Sequence, residues 1–342
     1  MRIEEDLTRL RRVRRPVVLA AGFFDGLHRG HRKVIDAARR RADALGGQVW
    51  VLTFDRHPLR LLAPDRAPPL LTSPRHRLIL LRDLGVHGAL VLPFTRELAA
   101  LDAGSFARRL AEGIPSLHDA FVGRNWRFAR GGSGTAAELS RLGRSLGFDV
   151  TIVPPATRRG ETISSTRIRA VLAEGDLAEV ERLLGRPFSV LGTVTRGRAV
   201  GRTLGYPTAN LDYHNEALPP CGVYAARAVL YGPDADLYTR LRGRRRRPGD
   251  VHGAVLNLGL RPTFDDAPAD RPVMEVHIPD LDRSLYGEDI EVAFAAHLRA
   301  EQRFASRRAL RDQIERDVAA ARRALRESGT PQKEGFTFDP AA

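Results

Sequence analysis

The first half of the chain alternates short apolar runs with segments whose apolar residues recur at helical spacing. Runs of the first kind predict buried strands, and segments of the second kind predict amphipathic helices. Strands are predicted at residues 17–22, 48–54, 88–94, 118–123 and 149–154, and helices at 28–47, 74–85, 103–111 and 136–146. Strands that alternate with helices are typical of a mostly parallel, doubly wound α/β sheet.

Two further short helices are predicted between Ser164 and Gly185, with a break at Gly175. We expect these helices to close the first domain. The sequence therefore predicts an N-terminal α/β domain at residues 1–186, and Arg186-Pro187 is a plausible boundary because proline disfavours helix at the residue before it.

The pattern changes after residue 187. Short β runs are predicted at residues 188–197, 222–232, 252–259, 273–280 and 289–298, separated by Gly, Pro and Asp turns. This spacing is typical of an antiparallel β-barrel. A last helix at 306–327 has apolar residues at helical spacing, so we expect it to pack on the outside of the barrel. The predicted barrel domain covers 187–330, and 331–342 is predicted to be a disordered tail.

The net charge is +14, and Lys33 and Lys333 are the only lysines, so arginine supplies nearly all of the positive charge. A nucleic-acid-binding surface combines clustered basic residues with aromatic residues. Here arginine is spread along the whole chain and aromatic residues make up 6%. We therefore expect no nucleic-acid partner, and positive potential that attracts anionic substrates. The run Arg244–Arg247, between Gly243 and Pro248, predicts an exposed loop tip.

Other features of the composition limit where the protein can be located and which cross-links it can form. No apolar run approaches the ~20 residues that a membrane-spanning helix needs, and residues 17–21 resemble a strand more than a signal peptide. Cys221 is the only cysteine, which excludes an intrachain disulfide and a cysteine zinc cluster. We expect a cytoplasmic protein with no membrane partner, as a monomer or a weak homo-oligomer.

The segment from Gly22 to His31 leads from a predicted strand into a predicted helix and carries the first candidate site. His28 and His31 are about one turn apart at the helix start, where free backbone N–H groups attract an anion. Gly30 leaves room for a phosphate beside the backbone. The imidazoles can donate hydrogen bonds to a triphosphate and stabilise a leaving pyrophosphate. The structural alternative is a pair of surface histidines.

A second predicted helix start has three hydroxyl residues, Ser164, Ser165 and Thr166, followed by Arg169. Hydroxyl side chains often cap helices, which is the structural interpretation. The functional interpretation uses the same groups, because hydroxyls, free N–H groups and an arginine can bind the β- and γ-phosphates of ATP. Arg169 would then neutralise charge on the departing pyrophosphate.

The predicted barrel contains a glycine-rich segment that ends in Pro207-Thr208-Ala209-Asn210. Glycines let backbone N–H groups approach phosphate oxygens, although glycine also marks β turns. Thr208 and Asn210 place two short oxygen ligands on one side of an extended segment, which suits a hydrated Mg²⁺ on ATP. The glycines are Gly192, Gly197, Gly201 and Gly205.

Glu275 lies in an otherwise apolar predicted strand. An unpaired carboxylate is costly in apolar surroundings, and such surroundings raise its proton affinity toward the range that a general base needs. The alternative is a position that faces solvent, because Val273, Glu275 and His277 share one face of the strand.

These motifs resemble two enzyme families that occur together in one chain. GFFDGLHRGH at 22–31 and ISSTRIR at 163–169 resemble the H-x-G-H nucleotidyltransferases, and TFDRHP at 53–58 and VGRNWRFA at 122–129 narrow the resemblance to FMN adenylyltransferases. The segment 192–210 with its PTAN motif resembles the riboflavin kinase signature. It is followed in order by GVYA, NLGLRPTF, VMEVH, LYG and LRAEQRF. The chain thus resembles the bacterial bifunctional riboflavin kinase/FAD synthetases from residue 17 to about 320.

The resemblance implies that ATP phosphorylates riboflavin to FMN in the barrel, and that the first domain adenylylates FMN to FAD, with Mg²⁺ in both steps. It implies that Glu275 is the kinase base, that Thr208 and Asn210 bind Mg²⁺-nucleotide, and that Arg299 contacts the flavin or anchors the last helix. The adenylyltransferase residues that it implies for ATP are Gly22, Phe24, His28, Gly30, His31, Ser164, Ser165, Thr166 and Arg169, and those for FMN are His57, Pro58 and Asn125.

Three positions depart from the family pattern: Arg56 where proline is common, Ala129 where glycine is usual, and Arg198 in the glycine-rich segment. Three alternatives stay open at this point. One of the two activities could be weak or lost, the chain could be a basic nucleic-acid-binding protein, or the nucleotidyltransferase could use another acceptor, against which the kinase half argues.

Overall fold

The computed structural model describes residues 1–197, 201, 204–231, 251–260, 271–279 and 281–327. The chain divides into two compact units, of which Met1–Ser165 form the first, and the second begins at Thr166. This division falls at the start of the first of the two short helices, and the boundary at residue 186 stays a prediction. Arg198, the run Arg244–Arg247 and the tail 331–342 lie outside the described residues.

The first unit is built on a six-stranded sheet in which all neighbouring strands are parallel. The spatial order of the strands is β1-β4-β3-β2-β5-β8. The strands are β1 (Arg2–Glu4), β2 (Val17–Ala21), β3 (Gln48–Phe54), β4 (Gly88–Leu92), β5 (Leu117–Gly123) and β8 (Asp149–Val153). Two short antiparallel pairs accompany them, β6 (Arg127–Phe128) with β7 (Gly134–Thr135), and β9 (Thr157–Arg158) with β10 (Glu161–Thr162).

The sheet is buried in its middle because helices cover both faces. All five residues of β2 are buried, as continuous apolar strands of parallel sheets require. The ring of Trp50 on β3 lies so close to Gly88 that a Cβ there would come within 2.4 Å of it. Gly88 therefore lets β4 pair with β3 beside that ring, and larger residues are excluded.

The helices of the first unit begin at residues that satisfy their free N–H groups. They are α1 (Arg29–Ala44), α2 (Pro58–Leu62), α3 (Pro74–Asp83), α4 (Arg96–Ala100), α5 (Ala103–Gly113) and α6 (Ala136–Leu146). Ser73 caps α3 and Asp102 caps α5 by accepting hydrogen bonds from backbone N–H groups. Gly147, at φ 85°, ends α6 in a left-handed conformation that suits glycine. Single 3₁₀ turns lie at Leu7–Arg12, Asp25–Leu27, Pro64–Arg66 and Arg130–Gly132.

The strand order reverses next to β2. The chain adds β3 and β4 on one side of β2 and then crosses over to add β5 and β8 on the other side. The connections that leave β2 and β5 therefore turn away from each other, and the crevice between them is the usual ligand position in doubly wound sheets.

The second unit contains a closed antiparallel barrel with the strand order β11-β12-β15-β14-β13-β16, in which β16 pairs back with β11. The strands are β11 (Ser189–Thr195), β12 (Ala209–Tyr213), β13 (Gly222–Leu230), β14 (Val251–Gly259), β15 (Val273–His277) and β16 (Asp289–Arg299). Met274 and Val276 on β15 are buried at 0% and 1% exposure, whereas Glu275 between them is half-buried. Alternation along β15 thus separates an apolar interior from an outer face.

Within the described residues of the second unit lie the helices α7 (Ser165–Ala173), whose first residue still belongs to the first unit, α8 (Leu177–Leu184) and α9 (Arg307–Glu327). Gly175, at φ 82°, separates α7 from α8, as the sequence predicts. On α9, Val318 and Ala321 pack against Val223 and Val255 of the barrel wall. The last helix therefore packs on the outside of the barrel, which confirms that prediction.

The predicted architecture is confirmed, with an α/β parallel sheet followed by an antiparallel barrel and a terminal helix. Among the described residues, the elements that the pattern did not predict are short: β1, α2, α4, β12 as a paired strand, the two-residue strands β6, β7, β9 and β10, and the 3₁₀ turns. Each has seven residues or fewer, too short to show a hydrophobic period.

Candidate active sites

The first candidate site lies where the parallel strands of the sheet end. β2 leads into Gly22 and the segment up to His28, β3 leads into His57, and β5 leads into the exposed turn that contains Asn125. Because parallel strands end at one edge of a sheet, all three sequence motifs emerge there, on either side of the reversal in strand order. Asn125 is exposed and Trp126 is half-buried after it.

The segment between β2 and α1 is held in an unusual backbone conformation. Phe24 and Leu27 have φ of 58° and 43°, in the left-handed region that non-glycine residues rarely adopt. The buried carboxylate of Asp25 fixes it, because it accepts hydrogen bonds from the backbone N–H of Leu71 (3.2 Å) and Thr72 (2.9 Å) and from the Thr72 hydroxyl (3.1 Å). The loop is thereby pre-formed before any ligand binds.

His28 and His31 form a stacked pair at the start of α1. Their ring centroids are 3.6 Å apart and the ring planes differ by 18°. His28 caps the helix, and its Nδ1 accepts a hydrogen bond of 3.3 Å from the His31 N–H. His28 is 5% exposed and His31 is half-buried. The two histidines therefore do not lie on an open surface, and their role in a site stays a prediction.

His31 is held in its neutral form. Burial, and then the electrostatic interactions with His28 and with Arg77, keep the pKa of His31 well below its ordinary value. Its Nδ1 is buried and makes no hydrogen bond within the described part of the chain. A neutral imidazole at a helix start has one N–H to donate.

The two glycines of the motif make room for rings. A Cβ at Gly30 would lie 3.0 Å from Cε1 of His28, and a Cβ at Gly22 would lie 3.0 Å from the Phe24 ring. Gly30 also lies beside the Ile163 carbonyl, which would be 3.5 Å from that Cβ. The absence of side chains at these positions therefore lets the histidine pair, Phe24 and the strand before α7 come together.

The structure brings part of the Ser/Thr motif to this loop. The Ser165 hydroxyl donates a 2.9 Å hydrogen bond to the Asp25 carbonyl, and Ser164 beside it is half-buried. Thr166 is exposed and Arg169 half-buried on α7, which belongs to the second unit from Thr166 onward. The placement of Ser165 agrees with the predicted site, and the roles of all four residues stay predictions.

His57 lies next to the same loop and has a structural task as well. Its ring meets the Phe23 ring edge-on with centroids 4.8 Å apart, and its Nδ1 accepts a hydrogen bond of 3.1 Å from the Leu59 N–H as the cap of α2. Pro58 is the first residue of that helix, where its lack of an N–H costs nothing. Arg56 is exposed and pairs with Asp55 at 3.0 Å.

Ala129, where the family usually has glycine, has φ 65°. A left-handed φ is strained for alanine and easy for glycine, so the departure noted in the sequence coincides with a backbone position that favours the usual residue.

The second candidate site lies on the outer face of the barrel. Glu275 on β15 lies directly opposite Asn210 on β12 and Asn257 on β14. Asn257 shares a strand face with Val255, which packs on the outer helix, so this polar row points outward. Glu275 therefore faces the outside of the barrel, half-buried between two amide side chains, as the alternative interpretation of its strand anticipated.

The glycine-rich segment and the PTAN motif lie against each other. A Cβ at Gly197 would come within 2.0 Å of the Asn210 amide nitrogen, and a Cβ at Gly201 would lie 3.3 Å from the Thr208 hydroxyl. A larger residue at 197 would have to displace the Asn210 side chain, which occupies the space beside it. Both predicted metal ligands thus lie beside the loop that is predicted to hold phosphates.

His277 fixes the PTAN segment from β15. Its ring nitrogen Nδ1 is 2.8 Å from the Pro207 carbonyl oxygen, and its ring meets that of Tyr206 edge-on at 5.5 Å. His277 is 9% exposed and lies on the same strand face as Glu275. One strand therefore carries the predicted base and the residue that positions the predicted metal ligands.

Three other predicted residues of the barrel have different surroundings. Gly192 is buried within β11, where a Cβ would come within 2.6 Å of Leu211, so strand packing by itself requires glycine. Gly205, at φ 87°, forms a turn with open space around it. Arg299 binds Asp317 of α9 through Nε (3.0 Å) and Nη2 (2.8 Å), which is the helix-anchoring role of the two that the resemblance implied.

Comparisons with known proteins match each half of the chain to a family. The FAD synthetase family model matches residues 10–167, and the riboflavin kinase family model matches residues 184–325. The bifunctional riboflavin kinase/FMN adenylyltransferase of Escherichia coli K12 is 37% identical over 305 residues, which cover 89% of this chain and 91% of that protein.

The chain belongs to the bifunctional riboflavin kinase/FMN adenylyltransferase family. Other members are similarly related. The protein of that description from Pseudomonas fluorescens is 36% identical, over 94% of this chain and 97% of its own length, and that from Bacillus subtilis is 32% identical, over 89% and 91%. A solved structure described as a macrolide-efflux protein from Streptococcus pneumoniae superposes with a TM-score of 0.73 at 27% identity, and covers 94% of this chain and 98% of that one.

The adenylyltransferase half and the kinase half each contain positioning residues that sequence reasoning missed. In the adenylyltransferase half they are Asp25 and Arg77, and in the kinase half they are His277 and Asn257. Asp25 lies inside the GFFDG motif, His277 alternates with Glu275, and Asn257 begins the NLGLRPTF segment, so these three positions were visible in the sequence. Arg77 resembles any other helix arginine. Among the described residues, no helix is both long and apolar enough to cross a membrane.

Proposed function

We propose that this protein makes FAD from riboflavin in two ATP-dependent steps, with one site in each half of the chain. The family of the chain supports both activities. The observation that carries the first step is the stacked histidine pair at a helix start, beside the reversal in strand order. The pre-formed loop and the helix N-terminus make this place suitable for a triphosphate.

In the adenylylation step, a phosphate oxygen of FMN attacks the α-phosphorus of ATP. The bond from the α-phosphorus to the oxygen that bridges to the β-phosphorus breaks, and pyrophosphate leaves with that bond's electrons. His28 and His31 donate hydrogen bonds to the triphosphate, and Ser164, Ser165, Thr166 and Arg169 hold its far end. No covalent intermediate with the protein is needed, so positioning and charge stabilisation supply the catalysis. His57, Pro58 and Asn125 are proposed to contact FMN.

In the kinase step, Glu275 takes the proton of the ribityl 5′-hydroxyl while that oxygen attacks the γ-phosphorus of ATP, and ADP leaves. Its half-buried position on the outer face, between Asn210 and Asn257, leaves it accessible to a substrate. A base must reach its proton directly or through one water. Gly197 and Gly201 are proposed to let the loop approach the nucleotide phosphates.

Mg²⁺ is proposed as the metal of the kinase step. The Thr208 hydroxyl and Asn210 amide, which lie together beside the glycine loop, supply the oxygen ligands that Mg²⁺ prefers. Within the described ranges no three His, Cys, Asp or Glu side chains converge as a metal cluster, so a site of neutral ligands completed by water and phosphate oxygens fits these residues. When bound, the ion would neutralise negative charge on the phosphates.

The remaining parts of the proposal concern the whole chain. The boundary between the two activities is proposed at residue 186, near the start of the second family match; the first match ends at 167 and the second begins at 184. We also propose that the partners are small-molecule substrates and not nucleic acid. The proposed location is the cytoplasm, and the proposed assembly is a monomer or a weak homo-oligomer. The spread of arginine along the whole sequence supports the absence of a nucleic-acid surface.

The test of the proposal separates the two sites. Purified protein with riboflavin, ATP and Mg²⁺ should form FMN and then FAD, followed by chromatography. Glu275→Gln should slow FMN formation by about 10²–10⁴-fold, the usual contribution of a general base, and leave FMN-to-FAD conversion unchanged. His28→Ala should do the reverse.

Two substitutions outside the sites serve as controls. Asp212 is 61% exposed on the barrel, and His118 lies at the opposite end of β5 from Asn125. Asp212→Asn and His118→Ala should leave both rates unchanged. If Glu275→Gln or His28→Ala abolished both reactions in folded protein, the assignment of two separate sites would be wrong.

A further inference from the structure

Arg77 on α3 is a buried arginine beside the first site. It is 1% exposed, and removing a guanidinium from water is costly unless its surroundings compensate the charge. Helix α3 is placed here by the hydrogen bonds of Leu71 and Thr72 to Asp25. The loop of the histidine pair thus fixes the start of α3, and Arg77 reaches back to that loop from the next turn of the helix.

The guanidinium joins two segments that leave neighbouring strands. Nη1 donates a hydrogen bond of 2.9 Å to the Phe23 carbonyl, which follows β2, and Nη2 donates one of 2.6 Å to the Phe54 carbonyl, which ends β3. The planar fork of arginine suits two acceptors at fixed spacing, and lysine cannot reproduce it. Arg77 therefore sets the distance between the segment with His28 and the segment with His57.

The same guanidinium lies over the ring of Phe23, 4.5 Å from its centroid. The other contact of that ring is edge-on to His57 at 4.8 Å. Arg77 thus fixes the ring that separates His57 from the loop of the histidine pair. A cation over an aromatic face adds attraction to the two hydrogen bonds.

Arg77 also contributes charge at the histidine pair. The groups that act on His31 are His28, stacked on it, and Arg77 from α3, and together with burial they lower the pKa of His31. Removing the positive charge at position 77 would let His31 bind a proton at a higher pH.

From these contacts we infer that Arg77 is a positioning residue for adenylyl transfer, which holds the histidine pair and His57 at the spacing that the reaction needs. It touches the carbonyls of Phe23 and Phe54 and not the proposed substrates. The inference rests on the proposed role of the histidine pair. It adds a residue on α3 that fixes the position of the pair without contacting the substrates.

The test compares Arg77→Lys and Arg77→Met in the full-length protein. We expect kcat for FAD formation from FMN to fall about 10-fold with lysine and about 100-fold with methionine, because a misplacement near 1 Å costs about 10²-fold. The acid limb of the pH profile should move to higher pH with methionine and stay in place with lysine. A partly misfolded preparation would lose rate without moving that limb.

Arg82→Met is the matched control. Arg82 lies on the same helix, its side chain is 9% exposed, and its guanidinium binds the neighbouring Asp83 instead of the site. It should keep FAD formation within twofold. Riboflavin phosphorylation, measured in the same samples, should be unchanged in all three variants and shows that the protein is intact.

The outcomes are distinct. Methionine at 77 with FAD formation within threefold of wild type and an unmoved acid limb would overturn the inference. If Arg77→Met does not fold, Arg77→Lys decides, because an unchanged kcat there would overturn it equally. Failure of wild-type protein to form FAD from FMN would instead overturn the proposed function, and that assay is run first.

Discussion

At the scale of single residues, the barrel site depends on a missing side chain. The Asn210 amide occupies the space beside Gly197, where a Cβ would come within 2.0 Å of it. Contacts below 3.0 Å cannot be kept, so any larger residue at 197 must move Asn210 or the loop. Asn210 lies opposite Glu275 in the strand register, and its displacement would disturb the proposed base and metal ligand together.

We therefore expect Gly197→Ala to lower kcat/KM for riboflavin phosphorylation by at least 10-fold and to raise the Mg²⁺ concentration needed for half-maximal rate. Initial rates over a Mg²⁺ titration measure both. Gly253→Ala, on β14, is the control, because its Cβ would meet only the flexible end of Leu325 at 3.1 Å. Equal rates for Gly197→Ala and wild type would show that Asn210 can move without cost.

Which site residues could be predicted from sequence depends on how local their task is. The residues of the H-x-G-H motif act together at one helix start, so their spacing in the sequence is enough to predict them. They are His28, Gly30 and His31. Arg77 acts by reaching one carbonyl after β2 and one at the end of β3, and no local pattern distinguishes it from a surface arginine. The sequence also left the direction of the Glu275 side chain open. Alternation along a strand defines two faces and does not say which of them faces solvent.

At the scale of elements, α9 is attached to the barrel through a buried ion pair as well as apolar packing. Arg299 ends β16, and its guanidinium binds Asp317, which is 5% exposed and also accepts a 2.8 Å hydrogen bond from Gln313. Arg227 adds a 3.0 Å hydrogen bond to the Leu325 carbonyl near the end of the helix. Arginine at a helix C-terminus also complements the helix dipole.

Asp317→Leu should lower the free energy of unfolding by about 2–4 kcal/mol, since it leaves a largely buried guanidinium without its partner. Arg299→Met with Asp317→Leu should recover part of that loss, because the double change leaves no unpaired charge. Urea unfolding curves for the wild type, both single variants and the double variant measure the coupling. If the two single losses simply add, the pair does not anchor the helix.

Long elements were predicted well and short ones poorly. Helix α6 spans Ala136–Leu146, the same residues that its pattern predicts, because eleven residues show three turns of periodicity. Helix α2 has five residues and no buried one, and β1 has three. Their positions are set by a cap at His57 and by pairing with β4, which are tertiary facts.

At the scale of the whole molecule, each half has its own core and its own predicted site. The parallel sheet and the closed barrel are complete without strands from one another. FMN is the product of one site and the substrate of the other. We therefore expect that FMN can pass from the first site to the second by diffusion through the solution.

Mixing two inactivated chains tests this independence. His28→Ala, which keeps the kinase site, and Glu275→Gln, which keeps the adenylyltransferase site, should each fail to convert riboflavin to FAD alone. Mixed together they should form FAD after a lag in which free FMN accumulates, as chromatography over time would show. Absence of FAD from the mixture, with each remaining activity intact, would mean that FMN does not reach the second protein through solution.

The closure of the barrel has a consequence for the order in which a ribosome can deliver the two activities. Ser189 at the start of β11 pairs with Ala293 in β16. The first strand of the barrel therefore cannot complete its pairing until the last strand has been translated. The parallel sheet uses only residues up to Val153. During translation, the sheet of the adenylyltransferase half is therefore complete well before the barrel of the kinase half. We expect the half that catalyses the second reaction to fold first.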